Sequence, residues 1–526
     1  MLNLLYILVA VLLVAGCSAQ KTEAPHLLPT RIAVRGDRFV DDQGREVVLN
    51  GINVVSKSKE EQYLFQGGPE FYGRLRDWGI NCIRFIIIWD GLEPAPGEYN
   101  EAYLQEIDQR IQWAADHDLF VVLDLHQDLF SMKYSDGAPA WATLDEGKPH
   151  ETGAVWSDAY MLSAAVQTAF DNFWANAPAP DGIGLQDHYA KLWQHLARRY
   201  ADSPTVIGYD LMNEPFPGSS ARRALPALLE AYGKLVYELQ GKRLSEEQLL
   251  EVWGSATGRA EALQLLSNRD YYQRVIDALA DFNRRFETEQ LQPMYQKVAD
   301  AIRQVDTSHL LFLEHSYFSN TGVATSIERT RLPDGRPDPL VAYAPHAYDL
   351  VTDTENAAAA SSDRLAFIFE RLAAAGARLS MPVWLGEWGA YYRHGEAIVP
   401  VARRSIALIE QHRFGQAYWS YDPGLEDLAY FREALLRPYP AYTNGKLLRY
   451  RYDFDTATLS VEWKEESTNP APTLIYAPSL SRLDKEDGMH STGMEIRPFE
   501  NTDAGWIVIP ALGKGENREM HLKWSE

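Results

Sequence analysis

Eight short runs of apolar, often β-branched residues recur between positions 46 and 422. They are Val47–Asn53, Cys82–Trp89, Phe120–His126, Val206–Glu214, Leu310–His315, Leu340–Tyr348, Pro382–Trp388 and Gly415–Tyr421. Runs this short with no polar face predict strands buried on both sides. Most are separated by stretches of helical period, such as Tyr103–His117 and His188–Tyr200. Eight alternating units predict an α/β chain folded as a (β/α)8 TIM barrel over residues 31–436. Two connections exceed what such a barrel needs, at about 128–187 and 217–291. Both follow the C-terminal ends of strands, the face on which barrels carry their sites. After Arg437-Pro438-Tyr439-Pro440 the texture changes. Segments such as LLRYRYDFDTATLSVEW, TLIYAPSL and GWIVIPAL alternate at period two, which predicts an antiparallel β-sandwich over 437–526.

The first residues follow a different rule. Residues 2–15 are apolar and uncharged, and Val14-Ala15-Gly16-Cys17 follows the pattern of a bacterial lipobox. Residues 1–17 are therefore expected to be a lipoprotein signal peptide with Cys17 lipidated, and 18–30 a tether. The expectation is secretion across a bacterial inner membrane and a lipid anchor holding the protein at the outer membrane or cell surface. The alternative is a plain secretory signal with an incidental cysteine.

Composition narrows the function. The net charge of −23 and the absence of any basic cluster exclude nucleic acid as partner. The two cysteines, Cys17 and Cys82, leave one thiol in the mature chain, so no internal disulfide forms and no Cys/His set suggests zinc. Neither a metal nor an organic cofactor is expected, and a monomer is. Aromatic residues make up 12% of the chain, which suits flat sugar rings but equally serves as core filler in a large barrel.

Chemistry enters at the strand ends. The fourth run closes on Asn213-Glu214-Pro215 and the seventh on Glu387-Trp388-Gly389. Two glutamates at the rim of one barrel mouth can converge on one bond. Glycoside hydrolysis needs such a pair, one carboxylic acid to protonate the leaving oxygen and one carboxylate to attack the anomeric carbon. Asn213, beside Glu214, is placed to hold the sugar 2-hydroxyl; a turn-forming role before Pro215 is the plainer reading.

Asn-Glu-Pro at the fourth strand and Glu-Trp-Gly at the seventh resemble glycoside hydrolase family 5. The supporting motifs fall in the same order: Arg84 in IRFIIIW, His126 ending the third strand, His346 and Tyr348 in PHAY, and Trp419 in AYWSY. A narrower resemblance, to the endoglycoceramidase group, rests on His126-Gln127-Asp128, on the run Gly208–Gly218, and on Arg437–Pro440 before a sandwich. Lys57 in GINVVSK matches a lysine that this group directs at the sugar next to ceramide. The resemblance implies Glu214 as acid/base, Glu387 as nucleophile, and Lys57, Arg84, His126, Asp128, Asn213, His346, Tyr348 and Trp419 as substrate-binding or orienting residues. It implies a retaining β-glycoside hydrolase that cuts between glycan and ceramide, with the carboxylates about 5–5.5 Å apart. The insertion after Glu214 departs from the group. An exo-acting glucosylceramide or steryl β-glucosidase and an endo-β-glucanase therefore stay open, with a glycan-binding surface lipoprotein as the non-enzymatic alternative. Glu314, before His315 on the fifth run, reads either as supporting the site residues from behind or as structural. The aromatics Trp141, Trp156, Phe173 and Trp174 are either a lipid-facing surface or an ordinary loop core.

Overall fold

The computed structural model describes residues 27–153, 155–392, 394–484 and 493–525. Cys17 and the whole of the predicted signal peptide lie outside the described residues. No helix among those described is long and apolar enough to cross a membrane.

A curled parallel sheet forms the centre. Its order runs Asn50–Val54, Cys82–Ile88, Phe120–His126, Val206–Asp210, Leu310–Leu313 and Val341–Tyr343. It continues at the other edge through His346–Ala347, Trp384–Gly389 and Gly415–Trp419, the last pairing back onto Asn50–Val54. Nine strands make eight staves, because Ala344-Pro345 divides the sixth into two pieces. Proline has no N–H for a ladder, so the stave breaks there. Tyr343 bridges Val383, which closes the ring. Every residue of the second and third strands is buried, which is why they read as unbroken apolar runs.

The run Val47–Asn53 is not one strand. Arg45–Val47 turns away and pairs antiparallel with Tyr439–Asn444, and the barrel stave begins at Asn50. With Ile32–Arg35 and Arg38–Asp41 it joins a seven-stranded sheet completed by Thr473–Ala477, Gly505–Ile509 and Glu495–Pro498. Lys446–Asp453, Thr458–Lys464 and Asn517–Lys523 form the second, three-stranded layer of this antiparallel β-domain. One hydrophobic cluster joins Tyr439, Leu474 and Ile507 to Cys82, Phe120, Ile207 and Leu310 at the starts of the barrel strands. The β-domain thus closes the N-terminal end of the barrel and leaves the C-terminal end open.

Both long connections build on that open end. The one after the fourth strand is helical, with Ala224–Gln240, Glu246–Gly254, Ala256–Leu265 and Arg269–Ile276 as its main elements. In the one after the third strand, Phe173 and Trp174 are buried and Trp141 is half-buried against Trp89. These three aromatics are loop core. Only Trp156 of the four faces solvent.

Candidate active site

The geometry is organised by one guanidinium. Arg84 sits mid-strand, fully buried, pointing into the mouth of the barrel. Its Nη1 donates to Glu387 Oε1 at 2.7 Å and to Asn53 Oδ1 at 3.2 Å. Its Nη2 donates to Glu314 Oε1 at 2.8 Å and Asn213 Oδ1 at 3.0 Å, and lies 3.0 Å from Asp124 Oδ1. Its Nε donates to Asp210 Oδ2 at 2.9 Å. Four carboxylates around one buried cation cannot all ionise at low cost. Burial and the charge of Glu314 push the Asp210 carboxyl well above the usual range despite Arg84.

Glu214 stands just past the fourth strand with φ of +41°, a conformation costly for a side chain with Cβ and often found at functional sites. Its backbone N–H donates to Glu314 Oε2 at 2.8 Å, which holds that geometry. Its Oε1 accepts from Asn320 Nδ2 at 2.6 Å and from His346 Nδ1 at 3.0 Å. Burial raises the Glu214 carboxyl to about 7, His346 pulling it down and Glu387 pushing it up. Glu387 is held at both oxygens, by Arg84 and by Tyr348, whose hydroxyl donates to Oε2 at 2.8 Å. One oxygen of Glu214, one of Glu387 and a ring nitrogen of His346 lie within 4.8 Å of one another.

His346 links the two acids. Its Nδ1 also lies 3.6 Å from Glu387 Oε2, and its Nε2 lies 3.1 Å from Glu314 Oε1. Burial disfavours its charged form, but Glu314, Glu387 and Glu214 outweigh this and raise it well above the usual histidine value. His315 behaves oppositely. Burial and the charge of His346 lower it to about 3, so its ring is neutral. Its Nδ1 then accepts a hydrogen bond from the Tyr343 hydroxyl (2.7 Å) and its Nε2 donates to Asn320 Oδ1 (2.9 Å). That contact turns the Asn320 amide so that its nitrogen faces Glu214.

Beside the glutamate pair lies a second cluster. His126 stacks on Trp419 with ring centres 5.4 Å apart and an 11° interplanar angle. Lys57 Nζ sits 4.6 Å from the centre of the same indole, within cation–π range, and is ion-paired with Asp128. Asp136 Oδ2 is 3.8 Å from Lys57 Nζ. Burial works against ionisation of Asp128, but Lys57 and His126 override it and lower its carboxyl to about 2. Asp136, buried and facing Asp128, rises to about 6. His126 is raised to about 9: burial and Lys57 oppose its charge, and Asp124 with Asp128 outweighs them. All ten residues singled out in the sequence thus fall in one mouth. Asp124, Asp136, Asp210 and Asn320 belong with them without being singled out by the sequence, and Glu314 supports them from behind, one of the two roles read for it. Three triads here have metal-ligand spacing, His126–Asp128–Asp136, Glu214–His346–Glu387 and Asp124–Asp210–Glu314. Each has a protein cation beside or within it, Lys57, His346 and Arg84 respectively.

Glu214, Glu387, Lys57, His126, Asp128, Asn213, Asn320, Tyr348 and Trp419 line a cleft of about 1600 Å3. The connections after the fourth and sixth staves add Leu225, Ala260, Leu263, Leu350, Val351 and Ala359 to its lining, interleaved with Arg259, Gln264, Asp349, Thr352, Asp353 and Glu355.

Residues 40–424 match the profile of the cellulase family (glycosyl hydrolase family 5), and 437–513 match the glycoside hydrolase family 5 C-terminal domain. The chain is 33% identical over 214 residues to an endoglycoceramidase of Cyanea nozakii, covering 35% of this chain and 41% of that one. It is 28% identical over 248 residues to a glucosylceramidase of Aspergillus fumigatus, covering 36% and 32%. These matches span less than half of either relative. Similarity to solved structures is broader. The endo-glycoceramidase II from Rhodococcus sp., in its ganglioside GM3 complex, superposes with a TM-score of 0.70 at 25% identity, covering 94% of this chain and all of that one. Its lactosyl-enzyme intermediate gives 0.69 at 26%, covering 93% and 99%.

Proposed function

This chain belongs to glycoside hydrolase family 5, and from that premise we propose that it is a retaining β-glycosidase of glycosphingolipids, cutting between glycan and ceramide. The observation that carries this reading is one cleft lined both by the glutamate pair with the Lys57–Asp128–Trp419 cluster and by the aliphatic side chains Leu225, Leu263, Leu350 and Val351. A sugar head and a hydrocarbon tail are the two halves of such a substrate.

In this mechanism the sugar stacks on Trp419, its hydroxyls meeting Lys57, Asp128 and His126. Glu387 attacks the anomeric carbon while Arg84 and Tyr348 hold both its oxygens, as nucleophile alignment requires. The bond from that carbon to the ceramide oxygen breaks, and the oxygen takes the proton of Glu214. A carboxyl raised to about 7 still holds that proton near neutrality. Water then gives a proton to Glu214 and its oxygen displaces Glu387 from the sugar carbon. One oxygen of Glu214 and one of Glu387 lie within 4.8 Å of each other, which supports the close-set carboxyl pair of a retaining enzyme. Asn213, fixed by Arg84 at its oxygen, presents its amide nitrogen to the 2-hydroxyl.

A second reading, an exo-acting glucosylceramide or steryl β-glucosidase, is favoured by the helical connection after Glu214, whose Leu225, Ala260 and Leu263 reshape the leaving-group side. Ganglioside, lactosylceramide, glucosylceramide, steryl glucoside and cellopentaose, each incubated with the chain and with its Glu387→Gln variant, separate the two. Intact oligosaccharide plus ceramide is the expected product. Glucose from glucosylceramide or sterol alone would move the assignment to the second reading. Activity on cellopentaose alone would remove the lipid half of the proposal. We also propose that Cys17 carries a lipid anchor at the cell surface, tested by labelled palmitate incorporation into the chain and its Cys17→Ala variant. Equal labelling of the two would contradict it.

A further inference from the structure

Four buried side chains run in file from the sixth stave to Glu214. The Tyr343 hydroxyl lies 2.7 Å from His315 Nδ1, His315 Nε2 lies 2.9 Å from Asn320 Oδ1, and Asn320 Nδ2 lies 2.6 Å from Glu214 Oε1. Tyr343, His315 and Asn320 are 0%, 1% and 4% exposed, so the file is shielded from bulk water. The fold brings them together. Tyr343 pairs with Leu313, two residues before His315, and Asn320 lies in the turn Tyr317–Thr321 that follows. The His315 ring is neutral, because burial and the charge of His346 both oppose its charging. A neutral imidazole has one N–H, and a side-chain amide has one donating and one accepting end. Two arrangements therefore satisfy His315 and Asn320. In the first, Nδ1 accepts from Tyr343, Nε2 donates to Asn320 Oδ1, and the amide nitrogen donates to Glu214 Oε1. In the second every bond runs the other way, which needs a proton on Glu214 Oε1.

Tyr343 separates the two. Among the described residues its hydroxyl meets only His315. In the second arrangement an N–H of His315 points at that oxygen, and the phenolic proton is buried without an acceptor, a costly state. His346 acts in the same sense, because its Nδ1 also reaches Glu214 Oε1, at 3.0 Å. Glu214 Oε2 forms no hydrogen bond among the described residues, and Glu214 lines the cleft. We propose that Tyr343 and His315 are positioning residues for the acid/base, which hold the Asn320 nitrogen toward Glu214 Oε1 and so confine the Glu214 proton to Oε2. The proton that passes to the leaving oxygen, as that oxygen takes the electron pair of the broken bond, is then the one on Oε2. The proton from the attacking water returns to the same atom. The inference rests on Glu214 as the acid of the proposed glycosidase and holds for any aglycone.

Two measurements test it. In the first, the chain is labelled with 15N-histidine and its ring nitrogens are observed by NMR, His315 being assigned as the signal lost in His315→Gln. A neutral ring with its proton on Nε2 is expected at neutral pH. A proton on Nδ1, or on both nitrogens, would overturn the proposal without any variant having to be active. In the second, kcat/KM of Tyr343→Phe is measured on phenyl and on 2,4-dinitrophenyl β-glucoside. Phenol needs the acid proton to leave, whereas dinitrophenolate leaves without it. The fall on the phenyl glucoside should exceed that on the dinitrophenyl glucoside by about tenfold or more, a part of the 10²–10⁴-fold usual for a general acid. Equal falls on both would reduce Tyr343 to a structural residue and overturn the positioning role. Hydrolysis of either glucoside by the wild-type chain reports the glycosidase reading separately, so the positioning role can fail while that reading stands.

Discussion

At the residue scale, the site is a distribution of protons set by burial and near charges. Glu214 is the group whose proton matters, and its carboxyl is raised to about 7 mainly by burial. The acid form is present below that value and lost above it. The rate at low substrate should therefore fall above pH 7 with an apparent pKa close to it, read from a kcat/KM profile; a flat profile to pH 9 would contradict the assignment. Glu214→Ala should lower kcat by about 10²–10⁴-fold on substrates with poor leaving groups, the usual range for a general acid. Glu314 touches the Glu214 backbone, Arg84 and His346 at once. Glu314→Gln removes the largest of the charges that raise His346, whose charged form pulls Glu214 down. The alkaline limb should then move to higher pH while kcat falls by about 10²-fold, the order of one lost preorganised contact. A fall in rate with no movement of the limb would reduce Glu314 to scaffolding. Glu214 and Glu387 were legible because each ends a strand in a recognisable motif. Glu314 also ends a strand, but a lone acid before a histidine has an equally good structural reading. Asp124 and Asp210 lie within buried strands, where only the pairing of distant staves shows that they meet Arg84.

At the element scale, the eight staves were legible because strands buried on both faces must be apolar. The division of Val47–Asn53 was not, because a continuous apolar run carries no mark of which sheet each half joins. The close spacing of the staves depends on glycines where backbones approach. A Cβ on Gly208, in the strand that leads to Glu214, would lie 2.5 Å from the Leu310 carbonyl oxygen and 2.6 Å from the Phe312 ring. Gly208→Ala should destabilise the fold by about 1–3 kcal/mol, the usual cost of overpacking, read as a lower denaturant midpoint at unchanged slope. An unchanged midpoint would mean that neighbouring strands part more easily than this packing implies. The helical connection after the fourth strand was visible as helix, but its apolar contribution to the cleft was not, because which residues of a helix meet a distant loop is decided by tertiary packing.

At the scale of the whole molecule, the barrel and the β-domain share one core. Arg45–Val47 pairs with Tyr439–Asn444, and the cluster at the barrel's closed end draws on both parts. The alternating texture after residue 437 announced an antiparallel domain, but pairing across some 400 residues leaves no local trace. A shared core predicts one cooperative unfolding transition by calorimetry rather than two, since neither part can lose its partner without exposing apolar surface. Two resolved transitions would show that the parts are energetically separate. In the proposed mechanism two carboxylates meet at one carbon, and one measurement addresses that directly. The chain is treated with an activated 2-deoxy-2-fluoro β-glucoside, digested and analysed by mass spectrometry. The account predicts a glycosyl ester on the peptide containing Glu387, formed by the wild-type chain and absent from Glu387→Gln. A label on another residue, or complete turnover with no trapped ester and inverted product, would contradict it.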